Sequence, residues 1–178
     1  KGDAYGGDIT IEYEKDRFYL WSVYTLTWVT REDEKINYNP HWDRRHNVNI
    51  LASYLLGEKR HSEVSVRWNF GSGFPFTETQ GFYEHLDFNG GIGTDYLNSN
   101  GDLGIHYAGL NQGRLTSYHR LDVAYKWWKE YKKDRKLELN VSVSNAYNRE
   151  NIFYFDRVNH TQVNQLPILP SLGIGYYF

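Results

Sequence analysis

The sequence predicts an all-β protein, an antiparallel transmembrane β-barrel of which about seven strands are present, and three observations carry that expectation. Aromatic residues make up 17% of the 178 residues, with 16 Tyr and 6 Trp, while the mean hydropathy is only −0.71. A barrel wall needs that combination, because alternate strand residues face lipid and a polar lumen and amphipathic rings gather at the two interfaces. Apolar and polar side chains also alternate with period 2 along most of the chain. The connections between the alternating segments, finally, are short and long in turn, as in barrels with tight turns at one rim and long loops at the other.

The first strand sets Ile9, Ile11 and Tyr13 against Asp8, Thr10, Glu12 and Glu14, and Lys15-Asp16-Arg17 reads as a tight turn. The second places Phe18, Leu20, Tyr24, Leu26 and Trp28 on one face; its other face, with Tyr19, Trp21 and Val23 before Thr25 and Thr27, is less polar than usual. In the third, Val48, Ile50, Ala52, Tyr54 and Leu56 oppose Asn47, Asn49 and Ser53, ahead of a turn at Gly57-Glu58-Lys59-Arg60. The fourth opposes Val64, Val66, Trp68 and Phe70 to Ser65, Arg67 and Asn69. From Gly71 to about Ser117 the pattern dissolves into a loop rich in Gly, Asn and Asp, expected on the extracellular side.

Alternation resumes with Leu121, Val123, Tyr125 and Trp127 against Arg120, Asp122 and Lys126, and a charged turn follows at Lys132-Lys133-Asp134-Arg135. Leu137, Leu139, Val141 and Val143 then alternate with Glu138, Asn140, Ser142 and Ser144. After a loop of medium length, Leu172, Ile174, Tyr176 and Phe178 close the chain against Ser171, Gly173, Gly175 and Tyr177. Strands of about ten to fourteen residues suit a tilted membrane crossing better than the usual five or six of globular sheets. A soluble β-sandwich is the rival architecture. It would gather the apolar positions of all strands in one dry interior.

An odd set of strands leaves two edges, and unpaired backbone groups cost several kcal/mol each in lipid. The expectation is therefore at least one further strand on the N-terminal side. The chain has no Met and begins at Lys1, which fits a cleaved product or a fragment, and no signal peptide stands at its start. No apolar run approaches the length of a spanning helix. Twenty-two acidic against 20 basic residues give no reason to expect a nucleic-acid partner. With no Cys, thiolate nucleophiles, disulfides and Cys-based zinc sites are excluded. Seven His show no HExxH spacing and no Ser sits in a GxSxG elbow, so the expectation is no enzyme and no cofactor.

Several segments resemble the C-terminal barrel region of TonB-dependent receptors of the Bacteroidota type. They are Thr94-Asp95-Tyr96, Asn100 to Ile105, Leu110-Asn111-Gln112-Gly113-Arg114-Leu115 and Ser117-Tyr118-His119-Arg120-Leu121-Asp122. Asp43-Arg44-Arg45-His46, Asn145-Ala146-Tyr147-Asn148-Arg149 and Leu166 to Gly173 support them; Thr116 departs from the pattern, where proline is expected. The resemblance implies an outer-membrane barrel of about 22 strands whose lumen holds an N-terminal plug. It implies import of a siderophore, glycan or peptide, energised by TonB through parts that this sequence does not contain. Implied partners are outer-membrane lipid and lipopolysaccharide, the remaining barrel and plug, and the outer-membrane insertion machinery, with room for a surface lipoprotein. Leu172, Ile174, Tyr176 and Phe178 look like the terminal strand that this machinery reads through an exposed edge.

Candidate functional residues follow from face and loop. Arg120 and Asp122 share a face and read as a lumen-side polar network, while the neighbouring His119 points the other way and completes no triad with them. Arg44, Arg45 and His46 admit an anion site, or pairing with acidic neighbours or lipopolysaccharide phosphates. Asp87 to Gly91 and Asn98 to Asp102 alternate oxygen ligands, but Asn98 stands where a calcium loop needs Glu, and turn formation explains them better. In the long loop, Phe74, Phe76, Phe82, Tyr83, Phe88 and Tyr96 are candidate substrate contacts over the barrel mouth, or rings that pack the loop on itself.

Three functions remain in competition at this point: part of an importer, a structural or accessory outer-membrane barrel without uptake, and a soluble carbohydrate-binding β domain. A TonB box in the parent sequence separates the first two. A monomeric, cooperatively melting protein made without detergent would single out the third.

Overall fold

The computed structural model describes residues 1–85, 102–131 and 135–178. Fourteen strands occur among them, numbered in chain order: β1 Gly2–Lys15, β2 Phe18–Glu32, β3 Asn37–Tyr38, β4 His46–Leu56, β5 Ser62–Gly71, β6 Pro75–Phe76, β7 Thr79–His85, β8 Asp102–Tyr107, β9 Gly113–Arg114, β10 Tyr118–Glu130, β11 Lys136–Ser144, β12 Ile152–Asp156, β13 Thr161–Asn164 and β14 Leu169–Tyr177. No helix occurs among the described residues. Seven long strands form one antiparallel meander in the order β1-β2-β4-β5-β10-β11-β14, with β3 hydrogen-bonded to β2. These are the seven segments whose alternation is visible in the sequence.

The register joins their apolar parities into a single face. One transverse row runs Phe18, Tyr54, Val64, Tyr125, Val141, Leu172, and the next pairs Leu20, Ala52, Val66, Val123 and Val143. Side chains directly opposite in an antiparallel pair point the same way, so one apolar surface crosses all seven strands. Ile9, Ile11 and Tyr13 extend it on β1, opposite Tyr24, Ser22 and Leu20. The opposite face carries Glu12, Asn49, Arg67, Asp122, Lys126, Glu138 and Asn140. Tyr19 and Trp21 sit on it too, and the Tyr19 hydroxyl donates to Glu12 at 3.0 Å.

On the apolar face, aromatic rings concentrate toward the ends and aliphatic side chains between them. Tyr13 meets Phe18 at one end of the first hairpin and Tyr5 stacks on Trp28 at the other, with centroids 6.3 and 5.4 Å apart. From Phe18 to Trp28 is about 33 Å along the strand, or about 25 Å of height at a tilt near 40°, the thickness of a membrane barrel's apolar band.

Among the described residues nothing covers this face. No hydrophobic residue is buried among the described residues; Ile9 is 61% and Ile174 72% exposed, and the fully buried side chains are Asn145, Asp43 and Pro40. The dry interior that a sandwich requires is absent here: Val141 is itself exposed. An exposed apolar surface this wide is a liability in water and an asset against hydrocarbon.

All three short connections lie at one end of the sheet. Residues 16–17 join β1 to β2, 57–61 join β4 to β5 and 131–135 join β10 to β11; Asp16 and Gly57 take φ of 54° and 75° to make the first two. The three long connections, 33–45, 72–117 and 145–168, lie together at the other end. The second is not the structureless loop expected from the sequence. Pro75–Phe76 pairs with Gly113–Arg114, and Thr79–His85 pairs with Asp102–Tyr107. The third connection likewise holds the β12–β13 hairpin.

The sheet does not close. β1 and β14 are its edges, and both run from the long-connection end to the short-turn end. They could meet each other only in parallel, so an antiparallel closure takes an odd number of further strands between them.

Candidate functional site

The long-connection end is where polar side chains are buried. Asp43 is 0% exposed, fixed by a turn in which its amide donates to the Pro40 carbonyl at 2.9 Å. Its carboxylate accepts the Val29 amide at 3.1 Å and Arg114 Nη2 at 2.5 Å, with Arg45 at 3.7 Å. Arg114 Nη1 also donates to the carbonyls of Asp43 and Gly73, each at 3.2 Å. Nearby, Asn111 Nδ2 donates to the Asn39 carbonyl at 2.8 Å. The first long connection is thereby clamped to the second by a charge-assisted knot, whose buried carboxylate is compensated on both oxygens.

Arg44, next to that knot, makes none of its bonds. Its guanidinium lies 4.0 Å from the Phe74 ring centroid and 5.7 Å from that of Tyr118, while its carbonyl accepts the Thr27 hydroxyl at 2.7 Å. Burial lowers the pKa of this guanidinium, an effect that Tyr118 partly opposes.

A second feature joins the second and third long connections. Arg157 Nη1 donates to Thr79 Oγ1 and Nη2 to the Thr77 carbonyl, both at 2.6 Å, and its guanidinium sits 5.2 Å from the Tyr107 ring. Beside it opens a cleft of about 540 Å³ lined by Phe76, Glu78, Phe82, Phe155, Arg157 and His160 among others. Phe76 faces Phe155 at 5.9 Å and Phe82 meets His160 edge-on at 5.1 Å. The turn that presents Arg157 and His160 is made by Asp156, whose carboxylate accepts the Asn159 side chain at 2.8 Å and the amides of Val158 and Asn159. Those bonds hold its pKa below the usual carboxylate range, the Asn159 side chain contributing most.

A further cleft, about 580 Å³, lies over the polar face and is lined by Tyr118, Arg120, Asn151, Phe153, Asn164 and Gln165 with Leu166 and Pro167. Arg120 is held by Asp122 through Nε at 3.1 Å and Nη2 at 2.8 Å. Asp122 also accepts the amide of Asn145 at 2.9 Å. Asn145, 1% exposed, donates to the carbonyls of Arg149 and Leu166. Asn151 bonds both ways to the His119 backbone, at 3.1 and 3.0 Å. The third connection is thus laced down over the polar face by amides, and the rings and amides that remain along these clefts are suited to hydrogen-bonding, ring-bearing ligands.

Phe76 and Phe82 share the first cleft, whereas Phe74 is taken up by Arg44. Tyr83 is exposed on the β7–β8 hairpin, against Gly104. Phe88 and Tyr96 lie outside the described residues, as do the Thr94-Asp95-Tyr96 segment, Asp87 to Gly91, Asn98 to Gly101 and Lys132-Lys133-Asp134. Arg120 and Asp122 pair, and His119 on the other face bonds Tyr147 at 2.6 Å instead. The Arg44-Arg45-His46 run separates into three fates: Arg45 joins Asp43, His46 bonds the Tyr24 hydroxyl at 2.9 Å, and Arg44 stacks on rings. Leu172, Ile174, Tyr176 and Phe178 all stand exposed along the β14 edge, Phe178 at 97%.

Sequence reasoning passed over Phe155, Arg157 and His160, although the run Phe153-Tyr154-Phe155-Asp156-Arg157 was a visible signal of aromatics with charge. Among the described residues no cluster of three His, Asp or Glu could hold a metal ion. In comparisons with known proteins, the chain matches no family model, no curated protein and no solved structure.

Proposed function

We propose that this chain forms part of the wall and outer mouth of a plugged outer-membrane barrel that imports a nutrient, a siderophore, glycan or peptide, with energy supplied through TonB. The observation that carries the reading is the single, predominantly apolar face that crosses all seven strands, uncovered among the described residues and with aromatic rings toward its ends. Such a face gains its burial energy from hydrocarbon, at about 25 cal/mol per Å² removed from water. The segregation of short turns and long connections to opposite ends supports the same placement, with the clefts of the long connections turned outward toward arriving solute. The motif resemblance supplies the receptor class, and the two open edges fit a wall completed by other strands.

The test uses the intact protein that contains this sequence, expressed in a Gram-negative host. Outer-membrane fractionation, heat-modifiable electrophoretic mobility and protease cleavage from the cell exterior within 72–117 are expected. Energised uptake should stop when TonB is deleted. Correct insertion without any TonB-dependent uptake would leave a scaffolding barrel instead of an importer. A water-soluble monomer that melts cooperatively without detergent would end both readings.

A further inference from the structure

We propose that Arg44 is the anchor for an anionic group, a carboxylate or a phosphate, approaching the polar face of the sheet at its long-connection end. Three arginines crowd this corner, and two of them are spent on the buried carboxylate of Asp43. Arg44 is not. Among the described residues it has no ion pair and no side-chain hydrogen bond. Its Nε is sealed from solvent without a partner, so the hydrogens left for a ligand are those of the two terminal nitrogens.

The side chain is nevertheless held in one place. Phe74 covers one face at 4.0 Å and Tyr118 stands at 5.7 Å. The Arg44 backbone is pinned by Thr27, and its guanidinium rests on Gly71, where any Cβ would collide with Cζ and Nη1. Gly71 pairs with Asn47 and Tyr118, which places the guanidinium on the face shared with Arg67, Asn69 and Arg120. Arg120 is neutralised by Asp122. Arg45 and Arg114 share the single carboxylate of Asp43, so the corner as a whole carries excess positive charge, and within it Arg44 is an ordered, unpaired cation whose planar edge suits two acceptor oxygens. Stacking on aromatic rings fixes the fork without using its donors, so little entropy remains to be lost when an anion arrives.

This proposal takes from the importer reading only that the polar face is open to water. Its test is calorimetric titration of the intact protein in detergent micelles, with benzoate and inorganic phosphate as separate probes. Saturable binding of at least one is expected, benzoate marking a carboxylate ligand and phosphate a phosphorylated one. Arg44→Gln should weaken it at least tenfold. Gly71→Ala keeps the charge but unseats it, and should weaken binding about threefold or more. Arg31→Gln, which removes an exposed cation lying over Trp42, should leave it unchanged. Absence of saturable binding, or equal affinity in wild type and Arg44→Gln, overturns the proposal. So does a drop in melting temperature in both corner variants with binding intact, which would make Arg44 a brace. Because the readout is affinity, saturable binding by a water-soluble wild-type protein that Arg44→Gln abolishes would keep this inference and discard the barrel.

Discussion

Arginine introduced at Val66 should be costly in a way that depends on depth. Val66 lies midway along β5, between Ala52 and Val123 on the apolar face. Its sequence neighbour Ser65 lies on the opposite face, between Ser53 and Ala124. In a bilayer, a charged residue on the lipid face of a barrel costs about 2–4 kcal/mol at the midplane and about 0–1 near the interfaces. Val66→Arg should therefore destabilise by about 2–4 kcal/mol, while Leu56→Arg, on the same face beside the short turn at 57–61, should cost about 0–1. Ser65→Arg should also stay within about 1 kcal/mol, because its face is solvated. The assay is reversible urea unfolding of the intact protein in lipid vesicles, followed by tryptophan fluorescence. A packed protein interior would punish Val66→Arg too, but it would not reproduce the gradient with depth. Equal costs at Val66 and Leu56, or a Ser65 variant worse than the Val66 one, would refute the lipid-facing assignment.

Asp43→Asn should loosen the clamp between the first two long connections by about 1–2 kcal/mol, less than a fully buried pair would lose because Arg114 and Arg45 keep about a third of their side chains in water; faster protease nicking within 33–45 and 72–117 is the readout. Gly73→Ala should disrupt the β6–β9 pairing, since its Cβ would strike the Leu115 backbone, whereas Gly81→Ala meets nothing and should be silent; limited proteolysis separates the two. Asp156 has a depressed pKa in the folded state, so its contribution to the 156–160 turn is full above the unfolded value of about 3.9 and fades as pH falls through the folded one. Amide exchange at Asn159 should quicken with acid beyond its intrinsic pH trend, and Asp156→Asn should remove that excess.

The seven long strands were legible because each carries apolar side chains on one face and polar ones on the other, which writes period 2 into the residues themselves. Even the ambiguous second strand resolves once Phe18, Leu20 and Tyr24 are seen opposite Tyr54, Ala52 and Val48. The loop hairpins were not legible, for the opposite reason. Phe153, Tyr154 and Phe155 in β12 are all exposed, so neither face is selected and no alternation appears. In β7–β8 a register shift between Thr79 and Gly81 breaks the pattern further. The candidate site was half visible. Loop aromatics such as Phe76 and Phe82 could be named from sequence, but the Asp43–Arg114 and Arg157–Thr79 bonds join residues 71 and 78 positions apart, and spacing carries no trace of such partnerships. Arg44 differs from Arg45 only through where the chain turns.

The shared heading of the two edge strands also bears on how such a wall could be assembled. Joining two copies of this unit head to tail in the same orientation would create fourteen staves with a parallel seam at each join, so tandem duplication cannot give an all-antiparallel ring. A closed antiparallel wall that includes this sheet therefore takes an odd complement of further staves, so two such pieces can share one ring only when the second offers edges that run opposite to these.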